Sequence, residues 1–227
     1  MKFVVTAGPT REHLDPVRFL SNPSTGKMGF AVARAAAMRG HEVALVAGPV
    51  SLKTPKGVRR IDVTSAREML AAVEEEMSKA KSGKPTVFVA TAAVADWRPA
   101  KCAARKLKKG QMSDTLKLVR NPDILKEIGR RTKTVHSSNH QLAHSPTYLV
   151  GFAAETNDVI AEARRKCREK NLDMIIANDV TEKGSGFGVD TNRVTFVRKD
   201  GSVERLPLMT KLAVARRIVR ECEDLCP

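Results

Sequence analysis

The sequence is short of aromatic residues and of long apolar runs, and both shortages exclude classes of protein. Aromatic residues make up 4% of the 227 residues, too few for the stacking surface that binds single-stranded nucleic acids. No apolar run approaches the roughly 20 residues of a membrane-spanning helix, and the N-terminus reads as a strand instead of a signal peptide. We therefore expect a cytoplasmic protein with no membrane association and no nucleic-acid partner.

Recognisable metal and redox motifs are also lacking. The four cysteines form no C-x-x-C pair and no zinc spacing, so we expect free thiols: Cys102, Cys167, Cys222 and Cys226. His136, His140 and His144 are four residues apart within the polar stretch 132–146, and on a helix they would suit a metal. Serine, asparagine and proline in that stretch favour a loop, which leaves the role of these histidines open.

Negative charge is scarce. The chain has 40 lysine and arginine residues against 25 acidic ones, a formal net charge of +15. Most of these cations are expected on solvated helix faces, and a small polyanionic substrate accounts best for the excess. An apolar content of 42% is enough for a substantial core, and we predict a single domain over residues 1–227.

Strand and helix patterns alternate from residue 2 to about residue 180. Apolar runs predict strands at residues 2–8, 42–47, 86–93, 148–154 and 173–177. Helices are predicted at residues 26–39, 157–170 and 211–225. Another helix is predicted from a Ser65/Glu68 capping box to about residue 79. A fifth begins after residue 121, with Asn121 as its cap and Pro122 at its first position. Residues 193–198 and 202–206 predict a hairpin. The alternation indicates an α/β fold: an open, mostly parallel, doubly wound Rossmann-like sheet with a C-terminal β-hairpin and helix.

Residues 18–30 lead from the first strand into the first helix and are predicted to receive an anion. Ser24, Thr25 and Gly26 precede a helix start, where free N–H groups and partial positive charge favour anions. Arg18 and Lys27 bracket the stretch with fixed charge. The alternative is a loop that merely turns a strand into a helix.

Two familiar phosphate motifs fit this stretch poorly. A Walker A loop needs serine or threonine after the Gly-Lys pair, and here Met28 follows. A dinucleotide fingerprint needs its glycines close to the strand, but about seventeen residues separate Gly8 from Gly26. It also needs an acid after the second strand, which here ends in Gly48 and Pro49.

Small residues at the predicted strand ends favour a ligand pocket at that edge of the sheet. Asp96, just past the third strand, is either a metal-bridging carboxylate or a turn residue. Residues 101–109 carry five cations, and they are either a flap that closes on phosphates or a solvated run. Lys166 and Lys170 share one helix face and suit an anionic ligand, although surface lysines at that spacing are common.

Taken together, the motifs resemble those of phosphopantothenate–cysteine ligase, also called phosphopantothenoylcysteine synthetase. The matching segments run in order through nearly the whole chain: TAGPTRE at 6–12, DPVRFLSN at 15–22, STGKMG at 24–29, AAVADWR at 92–98, KLKK at 106–109, NPDI at 121–124, GFAAET at 151–156 and ANDV at 177–180. Each segment alone is modest, but their combination is specific. The GKMG form is similar to the bacterial, CTP-using branch more than to the ATP-using one.

The resemblance implies a two-step ligase reaction of coenzyme A biosynthesis. CTP converts 4′-phosphopantothenate into an acyl-cytidylate with release of pyrophosphate, and L-cysteine then displaces CMP to give 4′-phosphopantothenoyl-cysteine. Mg²⁺ is the expected cofactor and CTP the co-substrate. ATP in place of CTP is the alternative that the sequence leaves open.

The resemblance also implies roles for particular residues. Asn22 and Lys106 match catalytic positions, and substrate binding falls to Arg18, Ser24, Thr25 and Gly26. Asp96 is the expected metal contact. The expected nucleotide contacts are Ala90, Thr91, Ala92, Asp96, Lys106, Asn121, Pro122, Asp123, Ile124, Phe152, Lys166 and Lys170.

Some features depart from the family pattern. Many bacterial relatives carry an N-terminal flavin-dependent decarboxylase domain, whereas this chain begins at the synthetase strand, so we expect a separate decarboxylase chain or a fragment of a bifunctional protein. Thr25 stands where serine is frequent, and Trp97 replaces a smaller aromatic residue. Family members are similar in being homodimers, so we expect a homodimer. The alternative functions are an NAD- or nucleotide-sugar-binding Rossmann-type oxidoreductase and a basic nucleic-acid-binding module.

Overall fold

In a computed structural model of the chain, the described residues are 1–80, 83–111, 114–137, 146–186 and 188–226. The strands are β1 Lys2–Ala7, β2 Arg11–His13, β3 Phe19–Ser21, β4 Glu42–Ala47, β5 Arg59–Asp62, β6 Thr86–Ala90, β7 Trp97–Pro99, β8 Leu118–Arg120, β9 Thr147–Glu155, β10 Met174–Asp179, β11 Thr191–Asn192, β12 Val194–Arg198, β13 Val203–Arg205 and β14 Met209–Thr210. The helices are α1 Lys27–Met38, α2 Ala66–Ser78, α3 Ile124–Ser137, α4 Val159–Glu169 and α5 Lys211–Asp224, with a 3-10 turn at Lys109–Gln111.

One mostly parallel sheet organises the described residues. Its eight strands lie in the order β13-β12-β10-β9-β6-β1-β4-β5. The six strands from β10 to β5 run parallel, and β12 and β13 add an antiparallel hairpin at one edge. The predicted α/β Rossmann-like sheet with a C-terminal hairpin and helix is therefore confirmed.

Helices cover both faces of this sheet. On one face, Val32 and Ala36 of α1 and Ile218 of α5 pack with Phe3 and Val5 of β1. On the other face, α2, α3 and α4 pack against the opposite side chains of the same strands, including Met69, Ile128 and Cys167. The strands are consequently buried on both sides, which explains their continuous apolar runs.

Local signals predicted one helix start correctly and another incorrectly. The Ser65 hydroxyl accepts a hydrogen bond from the Glu68 N–H at 3.2 Å, as predicted for the capping box at α2. The cap prediction at Asn121 is wrong, because α3 begins at Ile124 and the Asp123 carboxylate accepts from the Lys126 N–H at 3.0 Å. The side chain of Asn121 instead binds a neighbouring loop, as described below.

Short ladders were missed by the sequence patterns. No strand was predicted between residues 8 and 26, but β2 and β3 pair there as an antiparallel hairpin. Strand β5 was not predicted, and the third predicted strand ends at Ala90 instead of residue 93. The histidine prediction at His136, His140 and His144 concerns side chains outside the described ones.

The direction of the parallel strands places the predicted ligand residues. The strands from β10 to β5 all end at one edge, called here the carboxyl edge, and all start at the opposite, amino edge. Helices α1 and α5 begin at the carboxyl edge. Among the helices of the described residues, none is both long and apolar enough to cross a membrane.

Candidate active site

A cleft of about 480 Å³ opens at the carboxyl edge of the sheet. Its walls are the ends of β1, β6, β9 and β10 together with the starts of α1, α3 and α5. Every predicted site residue except Arg18 and Lys106 lines it: Asn22, Ser24, Thr25, Gly26, Ala90, Thr91, Ala92, Asp96, Asn121, Pro122, Asp123, Ile124, Phe152, Lys166 and Lys170. Residues that are far apart in the sequence therefore share one cavity.

The start of α1 forms one wall of the cleft. Gly26 precedes α1 in the left-handed conformation at φ 77°, and no side-chain hydrogen bond caps the helix. Residues 26–29 at this helix start line the cleft. Gly29 lets the helix approach the strands, because a Cβ there would lie 2.4 Å from Thr91 Oγ1 and 2.5 Å from Ala7 Cβ. This wall combines close backbone approach with unsatisfied donors, which suits an anion.

Threonine side chains hold the loop after β6 against β1. The Thr91 hydroxyl donates to the Thr6 carbonyl at 2.5 Å, and the Thr6 hydroxyl accepts from the Ala92 N–H at 3.3 Å. Further along, the Thr10 hydroxyl accepts from the Ala95 N–H at 3.0 Å. These bonds fix the backbone that a nucleotide or an acyl group would contact.

Two asparagines bind the same loop from either side. The Asn22 amide nitrogen lies 3.1 Å from the carbonyl oxygen of Ala93 and 3.3 Å from that of Val94. The Asn121 amide donates to the Ala95 carbonyl at 2.8 Å. Asn22 therefore connects the approach to α1 with the loop after β6.

Asp96 is exposed at the cleft and has no side-chain partner among the described residues. No cluster of three or more His, Cys, Asp or Glu residues that could hold a metal was found in the described part of the chain. A lone carboxylate beside a helix start that suits an anion nevertheless fits Mg²⁺, which commonly takes one or two carboxylates and completes its shell with water and phosphate oxygens.

Both predicted cations of α4 line the cleft as members of ion pairs. Lys166 pairs with the carboxylate of Glu155, and Lys170 Nζ lies 2.7 Å from Asp123 Oδ2. These carboxylates orient the lysines toward the cavity and partly neutralise them. An anionic ligand would have to share each ammonium group with its carboxylate.

Arg18 lies outside the cleft lining and binds the β2–β3 hairpin to residues 101–109. Its guanidinium contacts the buried Asp15 carboxylate at 2.5 Å and the Leu107 carbonyl at 2.8 Å. The Leu107 N–H also donates to Asp15 at 3.2 Å. The hydrogen bond from Arg18 holds the pKa of Asp15 far below its usual range, so the carboxylate stays ionised.

Lys106 is exposed and directly precedes Leu107, whose backbone is hydrogen-bonded to Asp15 and Arg18. It does not line the cleft. The backbone on either side of it is held to the hairpin, because the Ala103 N–H donates to the Leu14 carbonyl at 2.8 Å. The segment 101–109 is thus attached at two points, and its five cationic residues are exposed.

The sequence analysis assigned no role to several polar residues that line the cleft. Lys211, the first residue of α5, is 7% exposed, and its ammonium donates to the carbonyls of Gly186 and Val189. Asn178 is also 7% exposed, and its side-chain oxygen has no partner. Asn178 belongs to the ANDV segment, which was the available signal, whereas no local pattern marked Lys211.

The alternative oxidoreductase site lacks support in the cleft. An NAD-binding site needs a carboxylate at the end of the second parallel strand. Strand β4 ends at Ala47 and is followed by Gly48 and Pro49, and of the described residues none from 30–89 lines the cavity.

Comparisons with known proteins agree with this geometry. The family model "DNA/pantothenate metabolism flavoprotein C-terminal domain" matches residues 1–225. The "Coenzyme A biosynthesis bifunctional protein CoaBC" of Bacillus subtilis (strain 168) is 48% identical over 223 residues, which cover 98% of this chain and 51% of that protein. The chain thus spans about half the length of the curated relatives that it matches.

Solved structures give the same result. The C-terminal domain of a CoaBC protein superposes with a TM-score of 0.77 at 41% identity, covering 99% of this chain and 94% of that one. A Cab2 H337A mutant in complex with phosphopantothenate-cysteine has the same fold, with a TM-score of 0.72 at 16% identity over 97% of this chain and 84% of that one. This chain therefore belongs to the DNA/pantothenate metabolism flavoprotein C-terminal domain family.

Proposed function

We propose that the chain is a phosphopantothenate–cysteine ligase, which joins 4′-phosphopantothenate to L-cysteine in coenzyme A biosynthesis and uses CTP as the activating nucleotide. Family membership and the relatives named for coenzyme A biosynthesis support the pathway. The observation that carries the proposal is the cleft, because residues from seven separated motif segments meet in it. It combines an anion-binding helix start, cations and fixed backbone donors.

The first step is activation of the substrate carboxylate. A carboxylate oxygen attacks the α-phosphorus of CTP, the bond from that phosphorus to the bridging oxygen breaks, and pyrophosphate leaves. This chemistry needs fixed positive charge and N–H donors more than a nucleophilic side chain. The start of α1 at Gly26 supplies donors, and Lys166 and Lys170 supply charge on the opposite wall.

The second step forms the amide. The cysteine amine attacks the acyl carbon, the bond from that carbon to the phosphate oxygen breaks, and CMP leaves while the amine loses a proton to solvent. Negative charge accumulates on the acyl oxygen during the attack. Asn22 lies between the α1 approach and the loop after β6, and its amide hydrogens serve the acyl oxygen when one of its two carbonyl contacts is exchanged.

Mg²⁺ fits beside Asp96, and it would supply charge neutralisation for the phosphate oxygens when bound. Asp96 would hold it together with ligand oxygens and water. This assignment agrees with the free carboxylate of Asp96 at the cleft.

Lys106 approaches the phosphates from the outer segment 101–109. The hydrogen bonds of Leu107 with Asp15 and Arg18 fix the backbone position from which the Lys106 side chain extends. In this proposal Arg18 supports the outer segment, and it contacts substrate only at the rim of the cleft.

The proposal extends to assembly. Residues 1–227 act as one ligase domain in a cytoplasmic homodimer, and a phosphopantothenoylcysteine decarboxylase consumes the product. The relatives are named as bifunctional proteins and are about twice as long as this chain, which supports a functional link to a second activity.

Pyrophosphate release tests the function directly. We expect release with CTP only when 4′-phosphopantothenate is present, and amide product only when L-cysteine is added. Turnover with CTP should exceed that with ATP by roughly tenfold or more, the scale for losing one set of base contacts. Intermediates and products are resolved by mass spectrometry after rapid quenching.

The same assay defines the contrary results. Equal rates with CTP and ATP would remove the assignment to CTP and leave the ligase intact. Pyrophosphate release that does not depend on 4′-phosphopantothenate, or oxidation of a nicotinamide cofactor, would overturn the ligase.

A further inference from the structure

Helices α1 and α5 lie side by side and both begin at the cleft. Their first residues, Lys27 and Lys211, line the cavity. At their far ends Arg39 Nε lies 2.6 Å from the Glu223 carboxylate, so the two helices run in the same direction. The positive ends of two helix dipoles therefore meet at one place on the cleft wall.

Lys211 is a buried cation that forms no ion pair with a carboxylate of the described residues. It is 7% exposed, and its ammonium donates to the carbonyls of Gly186 at 3.0 Å and Val189 at 2.7 Å. No carboxylate of the described residues lies within 4.0 Å of it, whereas the equally buried Lys2 has Glu76 at 3.4 Å. A lysine has three donors, so one N–H of Lys211 stays available.

Burial lowers the pKa of Lys211 and the nearby charge of Lys27 lowers it further, while the carboxylate of Asp190 offsets part of this shift. Asp190 is exposed and is paired with Lys27, whose ammonium contacts it at 2.7 Å and the Gly188 carbonyl at 2.8 Å. A buried positive charge with no carboxylate in direct contact is costly unless a ligand supplies one. An anion entering the cleft would remove this cost.

A second buried group on the same cavity also lacks a partner. Asn178 is 7% exposed at the end of β10, and its side-chain oxygen accepts no hydrogen bond within the described part of the chain. An amide side chain without its full set of partners indicates that a ligand or water completes it. The cleft is therefore lined by two buried groups, Lys211 and Asn178, that can each bind a polar ligand.

We propose that Lys211 is a binding residue for a diphosphate group, the β- and γ-phosphates of the nucleotide and the pyrophosphate product. The inference rests on the proposed function for the identity of the ligand. Two phosphate groups supply the negative charge that pairs with Lys211, and a phosphate oxygen accepts a hydrogen bond from its available N–H. The start of α1 at Gly26 offers further N–H donors to the same ligand. Lys27 shares the ligand at the cost of its contact with Asp190.

Binding of inorganic pyrophosphate to three forms of the protein tests this assignment by calorimetry. Lys211→Met should weaken pyrophosphate binding about 10- to 100-fold, the range for losing a charged hydrogen bond. The same variant should bind CMP within about twofold of wild type, because CMP lacks the diphosphate. Lys2→Met, which removes the paired buried lysine at the opposite edge, should leave pyrophosphate binding unchanged.

Two outcomes overturn the proposal. Pyrophosphate binding by folded Lys211→Met within about twofold of wild type shows that the lysine does not contact the ligand. Equal losses for pyrophosphate and CMP show that Lys211 only supports the loop at Gly186 and Val189. Lys211→Arg is the second variant: it keeps the charge and should retain pyrophosphate binding better than Lys211→Met.

A measurement on the wild-type protein remains if the variants do not fold. Reductive methylation, followed by peptide mass analysis, should show that pyrophosphate protects Lys211 and leaves the exposed Lys101 reactive. Lack of protection overturns the proposal. Neither the binding nor the methylation experiment requires turnover, so the two proposals can fail separately. Ligase activity without Lys211-dependent pyrophosphate binding would contradict only this inference. Lys211-dependent pyrophosphate binding without ligase activity would contradict only the proposed reaction.

Discussion

The amino and carboxyl edges of the sheet each bury a lysine, but they treat it differently. At the amino edge, Lys2 donates to the Glu76 carbonyl at 2.6 Å and lies 3.4 Å from its carboxylate. At the carboxyl edge, the contacts of the Lys211 ammonium within the described residues are with carbonyl oxygens. The buried lysine of the amino edge thus has its carboxylate within the chain, while the one at the carboxyl edge has a charge that a ligand can pair.

The Glu76 carboxylate binds two further cations besides Lys2. It contacts Arg59 and lies 2.9 Å from Lys79. Three cations around one buried carboxylate leave no capacity for a ligand, so this cluster contributes to stability. The difference between the edges predicts that substitutions at the carboxyl edge change activity and that substitutions at the amino edge change stability.

The largest effect is expected for Asn22→Asp at the carboxyl edge. Aspartate has nearly the same shape, but it lacks the amide donors and repels the charge that develops on the acyl oxygen. Amide formation should slow by about 10²- to 10³-fold, the scale for losing an oxyanion donor. Pyrophosphate release should remain detectable, and the acyl-cytidylate should accumulate.

A quenched single-turnover reaction resolved by mass distinguishes the two steps of this variant. Thermal unfolding is the control, because Asn22 is exposed and should contribute little to stability. Amide formation at the wild-type rate would show that Asn22 does not act in the second step.

Lys106→Gln is expected to have the next largest effect. If Lys106 neutralises the triphosphate, its loss should slow acyl-cytidylate formation by roughly 10²-fold. Lys101→Gln removes a cation from the same segment and is the matched control, with an expected change of less than about twofold. Similar rates for both variants and wild type would make residues 101–109 a solvated run.

The carboxyl edge was largely predictable from the sequence because its signals are local. Small residues lie at the ends of the five strands that the sequence predicts, and the helix start at Gly26 follows directly from the order of residues. Strand direction alone then brings these segments together. The cap at α3 was misplaced because Asn121 and Asp123 are both good caps, and the tertiary bond from Asn121 to Ala95 decided between them.

The remaining features depend on contacts between distant residues. Asp15 and Leu107 are 92 positions apart, and their hydrogen bond fixes the outer segment. Lys211 reads as an ordinary first residue of an amphipathic helix until the loop at Gly186 folds over it. Periodicity reports which side of a helix is apolar, but it does not report which charge is left without a partner.

Lys2→Met tests the amino edge and should reduce stability without changing turnover. The substitution keeps the buried stem and removes the ammonium from Glu76, which retains Arg59 and Lys79. We expect the unfolding free energy to fall by about 2 kcal/mol, less than the full cost of breaking a buried pair. Denaturant unfolding measures it, and a turnover defect larger than the stability loss would contradict the separation of the two edges.

The smallest expected effect is the pH dependence of the same cluster. Burial alone would raise the pKa of Glu76, but hydrogen bonds from Arg59 and Lys79 lower it from 4.5 to about 2. Between these values the unfolded chain binds more protons than the folded one, so this contribution is present above about pH 4.5 and is lost as the pH falls toward 2.

Glu76→Gln lacks the titrating group, so its deficit in unfolding free energy relative to wild type should shrink on acidification. We expect a change of about 1 kcal/mol, because the half-exposed Arg59 and Lys79 are screened by solvent. Denaturant unfolding from pH 6 to pH 3 measures the two curves, and Glu42→Gln at an exposed position of β4 is the control that should run parallel to wild type. Parallel curves for wild type and Glu76→Gln would show that the Glu76 cluster is not held as tightly as its geometry indicates, and that the two edges differ less than their buried lysines imply.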